Sequence, residues 1–218
     1  MVSRTSPVRT GMQTSPARPT TYGAGVACVV GASVLTAGGV ATQVVAAGTS
    51  VSDQVWHYPW PSGTFVVITI LFAVAQGLLL IGVMGLRRSS VAGPGRVARI
   101  GLTLSVAGTA AIMVGHLVSI PVRDQPVDDA GAVAAGLVFF LGTVLSAVGF
   151  LLAGAATLRT TRWRDARRFI PVATGIWAAA MLGLQFTPFL PTAAAVLTAL
   201  FVALGIALMR PATPVAAR

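Results

Sequence analysis

Long apolar runs separated by short polar segments dominate the sequence. A hydrocarbon core about 30 Å thick needs roughly 20 apolar residues of helix, and six segments meet or approach that length. They are Tyr22–Ala47, Thr64–Leu86, Val97–Ile120, Ala130–Leu158, Phe169–Phe186 and Thr192–Met209. The pattern predicts an all-α polytopic bundle of six transmembrane helices in three hairpins, which together form one domain over residues 22–209.

The two ends of the chain lack this pattern. Residues 1–21 are rich in Ser, Thr, Pro and Arg without apolar periodicity, so they predict a disordered basic tail. Residues 210–218 predict a second, short tail. The first apolar run is too long for the core of a signal peptide and lacks a good cleavage context, so we expect it to be retained.

The arginines predict an orientation in the membrane. Leu158–Arg168 contains five of the fifteen arginines, and short arginine-rich loops stay in the cytoplasm. Alternation of six helices then places fourteen arginines on the same side and leaves Arg123 alone on the other, with four of the five aspartates. Both termini are therefore predicted to be cytoplasmic. The predicted outer loops are Thr49–Gly63, Pro121–Asp129 and Thr187–Pro191.

Composition agrees with a membrane protein and indicates its partners. Hydrophobic residues make up 55% of the chain and charged residues 9%, against roughly 25% charged in soluble domains. The net charge of +10 lies in short loops rather than on one basic face, so no nucleic-acid partner is expected. We expect the lipid bilayer as a partner, with anionic lipids at the cytoplasmic arginine loops. A membrane protein partner or a homo-oligomer is a further expectation.

The residue usage also indicates an origin. The chain has no lysine and no glutamate and is rich in Ala, Val, Gly and Arg, which is typical of a high-GC bacterial coding bias. Together with the apolar runs, this predicts a multi-pass protein of the bacterial inner membrane.

Small residues at four-residue spacing predict close contacts between helices, because close backbone approach replaces hydrophobic drive inside lipid. The pairs are Gly38/Thr42, Ser105/Thr109, Gly142/Ser146 and Ala179/Gly183.

A second pattern suggests a tandem duplication of the first two hairpins. Val51–Gln54 reads VSDQ, and Val122–Gln125 reads VRDQ 71 residues later. Biased composition is the alternative explanation for these matches.

The most distinctive local sequence is Trp56-His57-Tyr58-Pro59-Trp60-Pro61, at the predicted outer entrance to the second helix. Aromatic rings collect at the membrane interface, and two prolines stiffen the loop, so a structural role explains the pattern. The functional alternative is an aromatic lid over a pocket that opens outward.

One resemblance rests on this loop. Residues Trp56, Tyr58, Pro59, Gly63 and Phe65 resemble a pattern in uncharacterised multi-pass membrane proteins of high-GC bacteria. The resemblance covers one loop and its helix entrance, and it implies no activity.

Polar residues within the predicted spans are few. His116, Gln43 and Gln185 lie toward the outer ends of their helices, whereas Gln76 lies deeper. An ionisable group within a span is a functional hypothesis by default. We therefore predict a ligand site that opens outward between the first three helices. Its candidate residues are His116, Gln43, His57, Trp56, Tyr58 and Trp60. The alternative is that polar groups near helix ends merely meet water and headgroups.

The sequence predicts no catalytic residue, metal or cofactor. His57, His116 and the outer aspartates are suitable zinc ligands by type, but no compact spacing supports a metal site. A transmembrane haem needs facing histidines, and the spans contain only His116. No aspartate lies within a span, and neither GxSxG nor HExxH occurs. The single cysteine, Cys28, excludes an internal disulfide and predicts a small buried helix residue.

Two functional interpretations remain open at this point. The first is a non-enzymatic integral membrane protein, either a small permease-like protein or an accessory subunit of a membrane complex. The second is a membrane enzyme or sensor with an outward-facing site around His116 and Trp56–Trp60. Apart from Arg99 at the inner end of the third span, the spans contain no acidic or basic side chain other than His116, which argues against an ion-coupled transporter.

Overall fold

A computed structural model describes residues 21–160, 162–163, 165–185 and 187–210. The predicted tails therefore lie almost entirely outside the described residues, as do Thr161, Arg164 and Phe186. All regular secondary structure in the described part is helical, which confirms the predicted all-α class.

Six α-helices and one 3₁₀ turn make up the described fold. They are α1 Thr21–Ala46, α2 Ser62–Arg88, α3 Arg96–Ser119, α4 Ala130–Leu158, the 3₁₀ turn Ala166–Phe169, α5 Ile170–Leu184 and α6 Leu190–Met209. Each helix begins and ends within about two residues of its predicted segment, as is usual for boundaries read from sequence. Five of them are long and apolar enough to cross a membrane, whereas α5 has only 15 residues.

Prolines and a short turn limit the length of α5. Pro171 occupies its first turn, where the missing N–H costs no helical hydrogen bond. After Leu184 the chain turns through Thr187, whose backbone N–H donates to the Leu184 carbonyl. Pro191 then occupies the first turn of α6. The indole N–H of Trp177 donates to the Ala193 carbonyl over 2.8 Å and links the two helices across this turn.

The helices form a ring in chain order. Each helix packs on the next, and α6 returns to pack on α1. Because neighbours are antiparallel, the connections collect at two ends of the ring. We call the end with the α1–α2 and α3–α4 loops the aromatic end, and the end with the α2–α3 and α4–α5 loops the arginine end.

Glycine allows the backbones to touch along most of this ring. A Cβ atom added to Gly25 would lie 2.7 Å from the Gly205 carbonyl oxygen, and one added to Gly205 would lie 2.7 Å from that of Gly25. Between α3 and α4, a Cβ on Gly108 would lie 2.5 Å from the Ser146 backbone nitrogen. These distances leave no room for any larger residue without a shift of the backbone.

The predicted small-residue pairs fit this packing with one exception. Gly38 faces Phe72 of α2, Ser105 contacts Gly149 of α4, and Gly142 contacts α3. The pair Ala179/Gly183 lies on an exposed face of α5, and a Cβ on Gly183 would meet no atom within 4 Å. The expectation of an intramolecular helix contact is therefore wrong for this pair, because the four-residue spacing does not say which face of α5 turns inward.

The core lies in the half of the ring near the arginine end. Phe150 of α4 and Phe201 of α6 meet edge to face with ring centroids 5.3 Å apart. Cys28 is fully buried beside them, and its thiol donates to the Phe201 carbonyl over 3.3 Å. It is the small buried helix residue that the sequence predicted.

The loops at the arginine end fold back onto this core. Trp163, in the arginine-rich α4–α5 connection, is only 3% exposed and belongs to the core cluster. The Thr160 hydroxyl donates to the Val91 carbonyl over 2.8 Å, which ties this connection to the α2–α3 loop. The connection is therefore packed against the bundle. Burial of the Trp163 ring removes a large apolar area from water, which stabilises this arrangement.

The glycine contact between α1 and α6 predicts opposite effects for one substitution at two sites. We expect Gly205→Ala to lower thermal stability, because overpacking a tight contact costs about 1–3 kcal/mol. We expect Gly183→Ala to be neutral or stabilising, because alanine favours the helix by about 1 kcal/mol and meets open space. Melting temperatures in the same detergent measure both variants, and equal shifts for the two would contradict the packing described.

Candidate functional site

A cavity of about 210 Å³ lies at the aromatic end between the first four helices. Its walls are mainly aromatic and apolar. The lining residues are Thr42 of α1, Trp56, Tyr58 and Trp60 of the α1–α2 loop, Phe65, Ile68, Thr69 and Phe72 of α2, His116 and Ser119 of α3, and Phe139 of α4. None of the described residues that line it has a carboxylate or guanidinium side chain.

One face of α2 forms the largest wall. Phe65, Ile68, Thr69 and Phe72 follow the spacing i, i+3, i+4 and i+7, which places side chains in one stripe along a helix. Phe65 and Phe72, at the two ends of this stripe, place aromatic rings against the cavity.

His116 lies between two of these rings. Its imidazole meets Phe72 edge to face at a centroid distance of 5.8 Å and Phe139 at 5.1 Å. Glycines make room for both phenylalanines, since Gly38 faces Phe72 and a Cβ on Gly115 would lie 3.0 Å from the Phe139 ring. The imidazole is thus held by packing on both sides.

The ring nitrogens of His116 are the next feature of the site. Among the described residues, none forms a hydrogen bond with this imidazole, although it is only partly exposed and lines the cavity. The hydroxyl of Ser119, one turn further along α3, donates to the Gly115 carbonyl over 2.8 Å instead. In the described part of the chain, the imidazole and the Ser119 hydroxyl therefore do not form a hydrogen-bonded pair.

The two loops at the aromatic end pair over the cavity. Val55 and Pro126 form an antiparallel bridge. On either side of it, the Trp56 N–H donates to the Gln125 carbonyl over 3.0 Å, and the Val127 N–H donates to the Gln54 carbonyl over 2.9 Å. Proline fits at this position because neither bond requires its nitrogen.

This pairing joins the two segments that suggested an internal duplication. The bridged residues Val55 and Pro126 are 71 residues apart, which is the offset between VSDQ and VRDQ, and each directly follows the last residue of its segment. Equivalent positions of two copies would pair in this way. The duplication itself stays a prediction.

Further hydrogen bonds fix the aromatic loop. The His57 N–H donates to the Arg123 carbonyl over 3.0 Å. Its Nδ1 lies 2.6 Å from the Trp60 carbonyl oxygen and carries the proton of that bond, because a carbonyl only accepts. Arg123 in turn donates through Nε to the Ser62 hydroxyl over 3.0 Å at the start of α2. The loop is thereby held over the helices, with the Trp56 ring against Gly136 of α4.

The structure brings together four of the six residues that the sequence suggested for a ligand site. His116, Trp56, Tyr58 and Trp60 line the same cavity. Gln43 and His57 lie outside this lining. Gln43 accepts a hydrogen bond from Thr192 of α6 over 3.2 Å, and His57 orders the loop.

The acidic residues of this end do not meet the histidines. All four aspartates at the aromatic end are exposed. Asp129 caps α4 by accepting from the Gly131 N–H over 2.8 Å, and Asp124 pairs with Arg123 at 3.2 Å. Within the described residues, no group of three or more His, Cys, Asp or Glu side chains could hold a metal ion.

Sequence reasoning missed the walls of the cavity. Sequence patterns pointed to Phe65 only through the resemblance, and they did not point to Phe72, Thr69 or Phe139 as site residues. The stripe on α2 was readable as helical spacing, but such a stripe also describes a face in contact with lipid or with another helix. The contribution of Phe139 has no local signal, because it depends on how α4 packs against α3.

Comparisons with known protein families, with curated proteins and with solved structures give no match.

The bridge between the loops predicts a disulfide. Residues opposite each other without direct hydrogen bonds in an antiparallel pair have Cα atoms roughly 4.5 Å apart, within the range that a disulfide spans. In a Cys28→Ser background, we expect Val55→Cys with Pro126→Cys to cross-link under mild oxidation. Mass spectrometry after maleimide labelling counts the remaining thiols. Each single variant must keep its thiol, and two free thiols in the double variant would show that the loops do not pair.

Proposed function

We propose that the protein is a six-span integral membrane protein whose cavity at the aromatic end binds a small, neutral and mainly apolar molecule. The observation that carries the proposal is the imidazole of His116, which is packed between two phenylalanine rings and has no hydrogen-bond partner among the described residues. Its nitrogens are not among the buried unbonded side-chain atoms of the described residues, so they remain accessible from the cavity. A ligand with one hydrogen-bonding group supplies that partner.

The size and lining of the cavity define the ligand class. An apolar cavity of roughly 150 Å³ is sufficient for benzene, so about 210 Å³ accommodates a single ring with one or two substituents. Pockets for drug-sized ligands are larger, about 300–1,000 Å³. The aromatic walls favour a flat or compact apolar body, and the lack of charged lining residues favours a neutral one.

Binding is better supported than passage across the membrane. Beyond the cavity, Gln76 is buried and its amide lies 3.5 Å from the Thr109 carbonyl. The half near the arginine end is filled by the core around Phe150 and Phe201. This arrangement favours a sensor or an accessory subunit with a ligand-binding end over a permease.

The proposed topology places both termini in the cytoplasm and the aromatic end outside, in a bacterial inner membrane. Two observations support it. The arginines are concentrated at the arginine end. α5 extends for about 22 Å at the usual rise per residue, and the 3₁₀ turn before it carries Arg167 and Arg168. A span shorter than the hydrocarbon core is accommodated by local thinning of the bilayer, so α5 is proposed as the sixth span.

Thiol labelling tests this topology. In a Cys28→Ser background, we expect Ser52→Cys to react with a membrane-impermeant maleimide in intact cells and Gly95→Cys to react only after permeabilisation. Both positions are exposed, and a Cβ on Gly95 meets no atom within 4 Å. Both sites are therefore accessible to the reagent, and they differ in the side of the membrane on which they are proposed to lie. Labelling of Gly95→Cys alone in intact cells would reverse the proposed orientation.

Two probe molecules test the cavity in purified protein reconstituted in phosphatidylcholine nanodiscs. We expect 4-fluorophenol to bind more tightly than fluorobenzene, because its hydroxyl can donate to His116. His116→Leu should remove this preference, which corresponds to about 1 kcal/mol or roughly fivefold in affinity. Fluorobenzene should bind both proteins alike. Fluorine NMR titration measures both probes.

Two further variants make the result specific. Gln43→Leu removes a polar group at the same end that lies outside the cavity, so it should leave the preference unchanged. Thr42→Phe places a ring inside the cavity and should weaken both probes. An unchanged preference in His116→Leu, or binding that Thr42→Phe does not affect, would contradict the proposal.

A further inference from the structure

A second cavity lies at the arginine end, where α6 finishes beside the start of α5. It has a volume of about 210 Å³ and is lined by Arg167, Ile170, Ala203, Ile206, Ala207 and Arg210. Two arginines thus border a groove whose floor is apolar. Along the ring, α5 and α6 make the least extensive contact between successive helices, and the groove lies where they separate.

Neighbouring residues hold Arg167 at the rim of this groove. Its Nε donates to both carboxylate oxygens of Asp165, over 2.9 and 2.8 Å. Its guanidinium carbon lies 5.9 Å from the centre of the Trp163 ring. The side-chain hydrogen bond from Arg167 also lowers the pKa of the Asp165 carboxyl, so the pair stays ionised. Arg167 is only 9% exposed.

The groove matches the chemistry of a phospholipid in two parts. Ile206 is 39% exposed on the outside of α6, where an acyl chain can lie along the helix toward the aromatic end. Arg210 directly follows the last helical residue, Met209, and is exposed. Arginines at the end of an apolar span lie at the depth of the headgroups, where each attracts anionic lipid.

We propose that this groove is a binding site for one anionic phospholipid, whose phosphate lies between Arg167 and Arg210 and whose acyl chain covers Ile206. Asp165 and Trp163 hold the side chain of Arg167 in place at the rim. The side chain of Arg210 is exposed and can adjust its position. The site is separate from the cavity at His116, and either proposal can fail without the other.

Native mass spectrometry of the detergent-purified full chain tests the site with two probes, dioleoylphosphatidylglycerol and dioleoylphosphatidylcholine. We expect one tightly retained phosphatidylglycerol and weaker retention of phosphatidylcholine. Arg210→Gln should weaken phosphatidylglycerol retention about fivefold, as expected for one arginine near the surface. Ile206→Trp fills the groove and should weaken it further. Arg88→Gln is the matched control, since Arg88 is exposed at the same end but does not line the groove.

Several results would overturn the proposal. An equal loss in Arg88→Gln and Arg210→Gln would show general attraction to charge without a site. Equal retention of the two lipids, or no effect of Ile206→Trp, would exclude recognition of the headgroup or of the chain. Displacement of the lipid by an equal concentration of soluble glycerol 3-phosphate would identify a simple phosphate site instead.

Discussion

Close backbone contact between helices is the constraint on which this structure depends. Lipid tails are as apolar as the helix faces, so helices in a bilayer associate through packing rather than through a hydrophobic drive. Gly25 against Gly205 brings α1 and α6 together and closes the ring, while Gly108 against Ser146 joins α3 and α4. Where glycine faces phenylalanine instead, at Gly38 with Phe72 and at Gly115 with Phe139, the missing Cβ makes room for the ring. The cavity lies among these rings.

Polar side chains on the helices differ in whether their own helix provides a hydrogen-bond partner. Most hydroxyls on the helices donate to the carbonyl one turn earlier, as Ser105 does to Gly101 and Thr157 does to Ala153. Such bonds use the hydroxyl proton within its own helix, so the hydroxyl does not need another acceptor. His116 packs between two ring edges and forms no hydrogen bond with any described residue. An accessible imidazole in a mainly apolar cavity is the reason for proposing a ligand there.

The two ends of the bundle differ in what stabilises their loops. At the aromatic end, backbone hydrogen bonds between loops hold tryptophans over an apolar space. At the arginine end, Trp163 is buried in the core, and Asp165 holds Arg167 beside a groove. We therefore propose an uncharged small molecule at one end and an anionic headgroup at the other. These are different chemistries on one scaffold, and each proposed site depends on side chains from more than one helix.

The sequence alone determined the helices and their ends, because an apolar run of span length has few alternatives once backbone groups must bond within their own segment. It also indicated His116 and Trp56–Trp60, since polar and aromatic residues are rare enough in such runs to be noticed. Only the tertiary structure decided that Gln43 bonds to Thr192, that Phe139 reaches His116 and that Ala179/Gly183 faces outward. These outcomes depend on the rotation of each helix about its axis. That rotation is set by contacts between segments far apart in the chain, which local periodicity does not encode.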